Sequence, residues 1–141
     1  MSIFSANTLI AGALLCCLMP AGQAQEFDKP WQLQVMDLER RVRVEATIRL
    51  TDQKARSCMD GDWKRIVVDS KTAREEHFFP LDEALAYKVE HGRLTLGRTA
   101  LCDGYLFMSG KLDDAAVQGD YYALGLGGGK NLGYFSLKKV R

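Results

Sequence analysis

The 141-residue chain predicts an all-β protein, an antiparallel up-and-down meander closed into a small barrel of about eight strands with one disulfide. Three observations predict it. Apolar and polar residues alternate through most of the sequence, no segment sustains helical spacing, and glycines gather in the second half. Glycine inside strands marks the bends and bulges that curl a sheet toward closure.

The strands follow in order. Pro30 marks the start of the first, where Trp31, Leu33 and Val35 alternate with polar residues. The second is the clearest. Val42, Val44, Ala46, Ile48 and Leu50 are separated by Arg43, Glu45, Thr47 and Arg49, which gives one buried face and one wet face. After the turn Met59-Asp60-Gly61 comes the β-branched run from Trp63 to Val68, with Trp63 expected in the core at one end of the barrel. Leu85, Tyr87 and Val89 lead into the step Glu90-His91-Gly92-Arg93 and then Leu94 and Leu96. This is a tight hairpin in which Gly92 supplies a positive φ. Tyr105 to Leu112 and Val117 to Leu124 form two more strands joined at Asp113-Asp114. Gly133 to Val140 is the last strand, reached through a loop from Gly125 to Asn131. Leu81 to Tyr87 has room for one helical turn after Pro80.

The amino-terminal stretch reads as an export signal. Met1 to Ala24 carries no charged side chain, and the apolar run from Leu9 to Met19 is too short to span a membrane, which takes roughly 20 residues. Gly22 and Ala24 place small residues where a signal peptidase reads, so residues 1–24 are expected to be the signal peptide and 25–141 a single barrel domain. A periplasmic or secreted location follows. Cys16 and Cys17 offer an alternative, lipidation. A lipobox wants leucine three residues before the cysteine and a small residue just before it, and neither Ala13-Leu14-Leu15 nor Leu14-Leu15-Cys16 fits.

Of the four cysteines, Cys58 and Cys102 then remain, and in an oxidising compartment two cysteines most simply pair. Closing so long a loop is worth about 4 kcal/mol by chain entropy. A metal or redox role lacks a C-x-x-C, and His77 and His91 are the only histidines. The pairing also constrains the strand count. In a regular meander the two cysteines share a rim only if an odd number of strands lies between theirs, so Glu75 to Phe79 is expected to be an additional extended segment.

Chemistry is sparse. Lysine and arginine total 19 against 18 acidic residues, which argues against a nucleic-acid binder. The glycine run ending at Lys130 lacks the first glycine and the hydroxyl residue of a phosphate loop, with Leu124 and Asn131 in those places. No nucleophile stands in a motif with a histidine, and the carboxylate pairs Glu75-Glu76, Asp82-Glu83 and Asp113-Asp114 all flank turns. No enzyme activity, metal or cofactor is expected. Arg41, Arg43 and Arg49 share one face of a strand, which is either a solvated guard against edge pairing or a docking surface for an acidic partner. Neighbouring strand residues face opposite ways, so one of Tyr121-Tyr122 should point outward, and Phe78-Phe79 is equally hard to bury whole. Phe78, Phe79, Tyr121, Tyr122 and Lys130 are the candidate contacts for a partner, with the loop from His77 to Pro80 and the glycine loop from Gly125 to Asn131 as the contact surface.

Gly61-Asp62-Trp63 resembles the G-x-W of lipocalins and avidin-like barrels, where the tryptophan opens a strand and closes the barrel floor against a basic residue of a late strand. Gly119-Asp120-Tyr121-Tyr122 with Gly133 to Val140 resembles the last hairpin of small exported bacterial barrels of that shape. The likeness covers scattered pieces of the chain, and the G-x-W falls after two strands instead of in the first. It implies the calycin-like architecture and transfers no ligand site. The expected function is a non-enzymatic binding protein that binds or inhibits another protein, such as a hydrolase or toxin. The alternative is a lipocalin-like carrier of a small apolar ligand, which needs a hollow barrel.

Overall fold

A computed structural model describes residues 28–141 except 74 and 76. The expected signal peptide, with Cys16 and Cys17, lies outside the described residues. Eight strands follow one another: β1 (Pro30–Met36), β2 (Val42–Lys54), β3 (Lys64–Ala73), β4 (Ala86–Glu90), β5 (Arg93–Arg98), β6 (Gly104–Leu112), β7 (Ala116–Gly125) and β8 (Gly128–Lys139). Each pairs antiparallel with the next, and β8 pairs back onto β1, so the sheet is a closed barrel.

The alternation in the sequence sets which side chains enter. Leu33 lies opposite Ala46 on one side and Leu137 on the other, and all three face inward. Burial of this inner face is the main driving force, at roughly 25 cal/mol per Å² of apolar surface. The interior is filled with side chains, among them Trp31, Ile48, Leu94, Met108, Tyr121 and Phe135, each almost wholly buried. Glycine lets the sheet bend. A Cβ at Gly119 would stand 1.9 Å from the Ser109 carbonyl oxygen on the neighbouring strand, so only glycine fits that crossing. The β4–β5 turn is the expected tight hairpin, with His91 at φ 51° and Gly92 at φ 73°, both left-handed.

Three expectations are corrected. The segment from Gly125 to Asn131 is not a loop: β7 and β8 stay paired to Gly125↔Gly128, and only Leu126 and Gly127 turn the chain. Side chains that small raise no barrier to pairing up to the tip, and Gly128 absorbs the positive φ (99°). No helical turn forms after Pro80. The described part of Glu75 to Phe79 is not a strand either; His77 to Phe79 make a turn whose last residue is buried in the barrel.

The disulfide forms without that extra strand. Cys58 and Cys102 are bonded, with Cα atoms 5.4 Å apart. Two strands separate β3 from β6, so the simple parity argument fails, and the reason is stagger. β3 meets β4 only at Lys64↔Tyr87 and Arg65↔Ala86, so the β4–β5 hairpin slides down relative to β3. The β2–β3 connection crosses the outer face of the sheet and reaches the β5–β6 connection, where the Cys58 N–H donates to the Thr99 carbonyl.

A second apolar cluster lies beneath this crossing, outside the barrel. Trp63, Ala86 and Phe107 are buried in it, flanked by Met59, Tyr105 and Tyr122. Trp63 stacks on Phe107 at 6.2 Å, and its indole N–H donates to the Asp60 carbonyl. Trp63 is therefore buried as expected but does not close the barrel. Trp31 is instead the tryptophan inside the barrel, with Lys139 of β8 5.4 Å from its ring centroid. The first strand carries the tryptophan that the G-x-W resemblance assigned to the third.

Unreduced protein spanning residues 25–141 should weigh two hydrogens less than its sequence. Cys102→Ser should cost about 2–4 kcal/mol in urea denaturation. Trp63→Ala should cost about 3–5 kcal/mol, because it empties the cluster under the crossing.

Candidate functional site

An eight-stranded meander brings alternate connections to the same rim. Here one rim carries the β1–β2 turn, the long β3–β4 connection, the β5–β6 connection with Cys102, and the β7–β8 turn. The two segments singled out in the sequence, around Phe78-Phe79 and at the glycine run, thus meet at one end of the barrel.

Their aromatic residues face mostly inward. Phe79 is wholly buried and meets the Tyr121 ring edge-on at 5.7 Å, with the planes at 89°. Phe78 is half-buried and touches the same ring at 5.3 Å. Tyr121 is buried in the interior, and its hydroxyl donates to the Phe78 carbonyl. These three hold the β3–β4 connection down as a plug in the barrel mouth. Phe79 and Tyr121 accordingly present no surface to a partner, which corrects their place among the candidate contacts. The reason is that the β3–β4 connection folds into the barrel mouth, where Phe79 packs in the core against Tyr121. Tyr122 does face outward, half-buried against Phe107 at 5.6 Å. Lys130 is exposed and pairs across from Ala123.

Two exposed apolar side chains of the rim are not among the expected contact residues. Leu126, at the tip of the β7–β8 hairpin, is 91% exposed, and Leu101, beside the disulfide, is 52% exposed. The signal for Leu126 was present: a single large apolar residue amid glycines cannot be covered by its neighbours. Backbone pairing up to Gly125 and Gly128 makes that tip stiff, and the disulfide stiffens the connection that carries Leu101.

The arginine face is neutralised from within. Arg49 makes a two-pronged contact with Asp69, with nitrogen–oxygen distances of 2.9 Å. Arg41 and Arg43 converge on Asp37, and Arg43 also reaches Glu75. Burial works against ionisation of Asp37, but the Arg41 N–H and the two guanidinium groups outweigh it and hold the carboxyl below its usual range. No group of three or more potential metal ligands is present among the described residues. A polar groove of about 480 Å³ lies over the outer faces of β1, β7 and β8, where Arg40 covers the Tyr134 ring at 4.1 Å.

The closed antiparallel barrel is compatible with a calycin-like architecture. Comparison with protein-family models, with curated proteins and with solved structures finds no match.

The buried tyrosines predict an alkaline limit to stability. Burial raises Tyr87 from 10.0 to about 12, its hydroxyl donating to the Thr51 carbonyl, and raises Tyr121 further. Both therefore bind their protons more tightly in the folded state. Their contribution is complete below the unfolded value of 10.0 and is lost as pH rises toward about 12. Stability should fall through this window, and Tyr87→Phe should flatten the fall. Ultraviolet titration should show two tyrosines resisting ionisation until the chain unfolds.

Proposed function

We propose that the protein is an exported, non-enzymatic binding protein that docks on another protein through the rim holding the β7–β8 hairpin, in the manner of an inhibitor entering a cleft. The observation that carries this reading is Leu126, a large apolar side chain almost fully exposed at the tip of a tightly paired hairpin. Presenting an apolar side chain from a stiff turn limits the entropy lost on association. Leu101 on the β5–β6 connection of the same rim is a second exposed apolar side chain. A hydrolase or toxin with a recessed site is the kind of partner such a tip fits. The reading places the protein in the periplasm or outside the cell, on the strength of the amino-terminal sequence.

The filled interior weighs against the alternative, a lipocalin-like carrier. About eight strands enclose just enough room either for side chains or for one small ligand, and here the side chains occupy it.

The test is capture of a partner by immobilised mature protein from the exported fraction of the producing cells. Leu126→Asp should abolish retention of whatever the wild type retains while leaving the melting temperature unchanged, since the side chain touches little. A variant that folds and retains the same partner equally well overturns the assignment of the rim.

A further inference from the structure

We infer that the open edge of β3 is a strand-addition site that accepts an extended, acidic segment of a partner protein. The inference rests on the protein-binding reading above and deepens it, but it uses a surface away from Leu126.

Three observations converge. First, the closed sheet has a seam. β3 is paired with β2 over most of its length, from Lys64 to Ala73, but with β4 only at Lys64 and Arg65. One further backbone bond, from the Ile66 N–H to the Leu85 carbonyl, ends the contact. From Val67 onward the second edge of β3 has no strand partner among the described residues, and Asp69 to Thr72 are exposed. Such an edge presents a row of backbone donors and acceptors in register for one more strand.

Second, the seam opens into a cleft. Residues 81–85 of the β3–β4 connection lie across from β3, and beyond the Ile66–Leu85 bond no strand pairing joins the two among the described residues. Lys71 reaches across the gap to Asp82 as an ion pair. The space between holds about 520 Å³ and is lined on its floor by Val67, Val68, Leu81 and Leu85. An added strand sends alternate side chains toward such a floor and the others to solvent, so a segment of alternating character fits.

Third, the cleft is cationic. Lys54, Arg56 and Arg65 line it, and none of them makes an ion pair among the described residues. Its two carboxylates are already engaged, Asp82 by Lys71 and Glu83 by Arg98. The uncompensated charge is therefore positive, and it selects an acidic segment and speeds its arrival. A small anion would satisfy the cations alone and leave the apolar floor and the backbone edge unused.

The probe is an amidated peptide of about six residues in which glutamate and valine alternate, with a lysine–valine peptide as its control. Each is added to the full mature protein while amide hydrogen exchange is followed residue by residue. The glutamate peptide should slow exchange between Val67 and Thr72, and the lysine peptide should not. Arg56→Glu with Arg65→Glu, both exposed, should weaken binding about tenfold or more, and added salt should weaken the wild type in the same direction. Leu126→Asp should bind the peptide as the wild type does, so failure of the rim assignment and failure of this one are read separately. Protection elsewhere than Val67 to Thr72, no protection at all, or equal protection by both peptides overturns the inference.

Discussion

An eight-stranded barrel of this size has an interior that must be filled, and this chain fills the end near its β3–β4 rim with a connection. Phe79, Leu81 and Leu85 enter the core from between β3 and β4, and the Tyr121 hydroxyl fastens the backbone at Phe78. Much else depends on that insertion. Chain drawn into the mouth cannot also extend the β3–β4 ladder, so the ladder stops after two residue pairs and β3 keeps an edge unpaired among the described residues. The short ladder permits the offset of the β4–β5 hairpin. That offset in turn brings the β5–β6 connection within reach of Cys58. A buried Phe79, an open edge and the disulfide are therefore three consequences of one packing solution.

The outer cluster shows how the disulfide is supported. A covalent link across the face of a sheet would leave the β2–β3 connection loose between its anchor points. Trp63 and Phe107 prevent this by burying apolar surface on the outside of the barrel, where a regular strand would expose polar residues. Lys88 lies over the Trp63 ring at 5.1 Å and pairs with Glu90, which covers the cluster from solvent. The loop-closure entropy removed by the bond and the apolar burial under it act on the same segment, so disrupting either should loosen the other.

The two proposed surfaces are different in kind. The rim offers apolar side chains from stiff turns, which suits insertion into a recess. The β3 edge offers backbone groups, an apolar floor and three uncompensated cations, which suits an extended chain. Charge elsewhere on β2 and β3 is spent within the molecule, as the Arg49–Asp69 pair and the Asp37 cluster show. Exposed internal pairs of this kind contribute little to stability, but they leave the cleft as a place where positive charge faces solvent without an answer.

The sequence by itself determined the strands and which of their faces is buried, because side-chain alternation is a local property with a period of two. Val44 to Leu50 read in this way match the interior they occupy, and the Glu90-His91-Gly92-Arg93 turn follows from what its backbone angles demand. The cysteine pair was legible from the count that remains beyond the expected export signal. The candidate site was legible only in part: Tyr122 and Lys130 face outward, whereas Phe79 and Tyr121 do not, because a connection becomes part of a core only when the volume left by the strands is known. Tertiary structure alone decided the stagger between β3 and β4. It also decided that Trp31, and not Trp63, lies in the barrel interior, and that Leu126 stands at the tip of a tightly paired hairpin. Each of these is set by registers and volumes summed around a closed sheet, to which distant residues contribute and which no local stretch of sequence encodes.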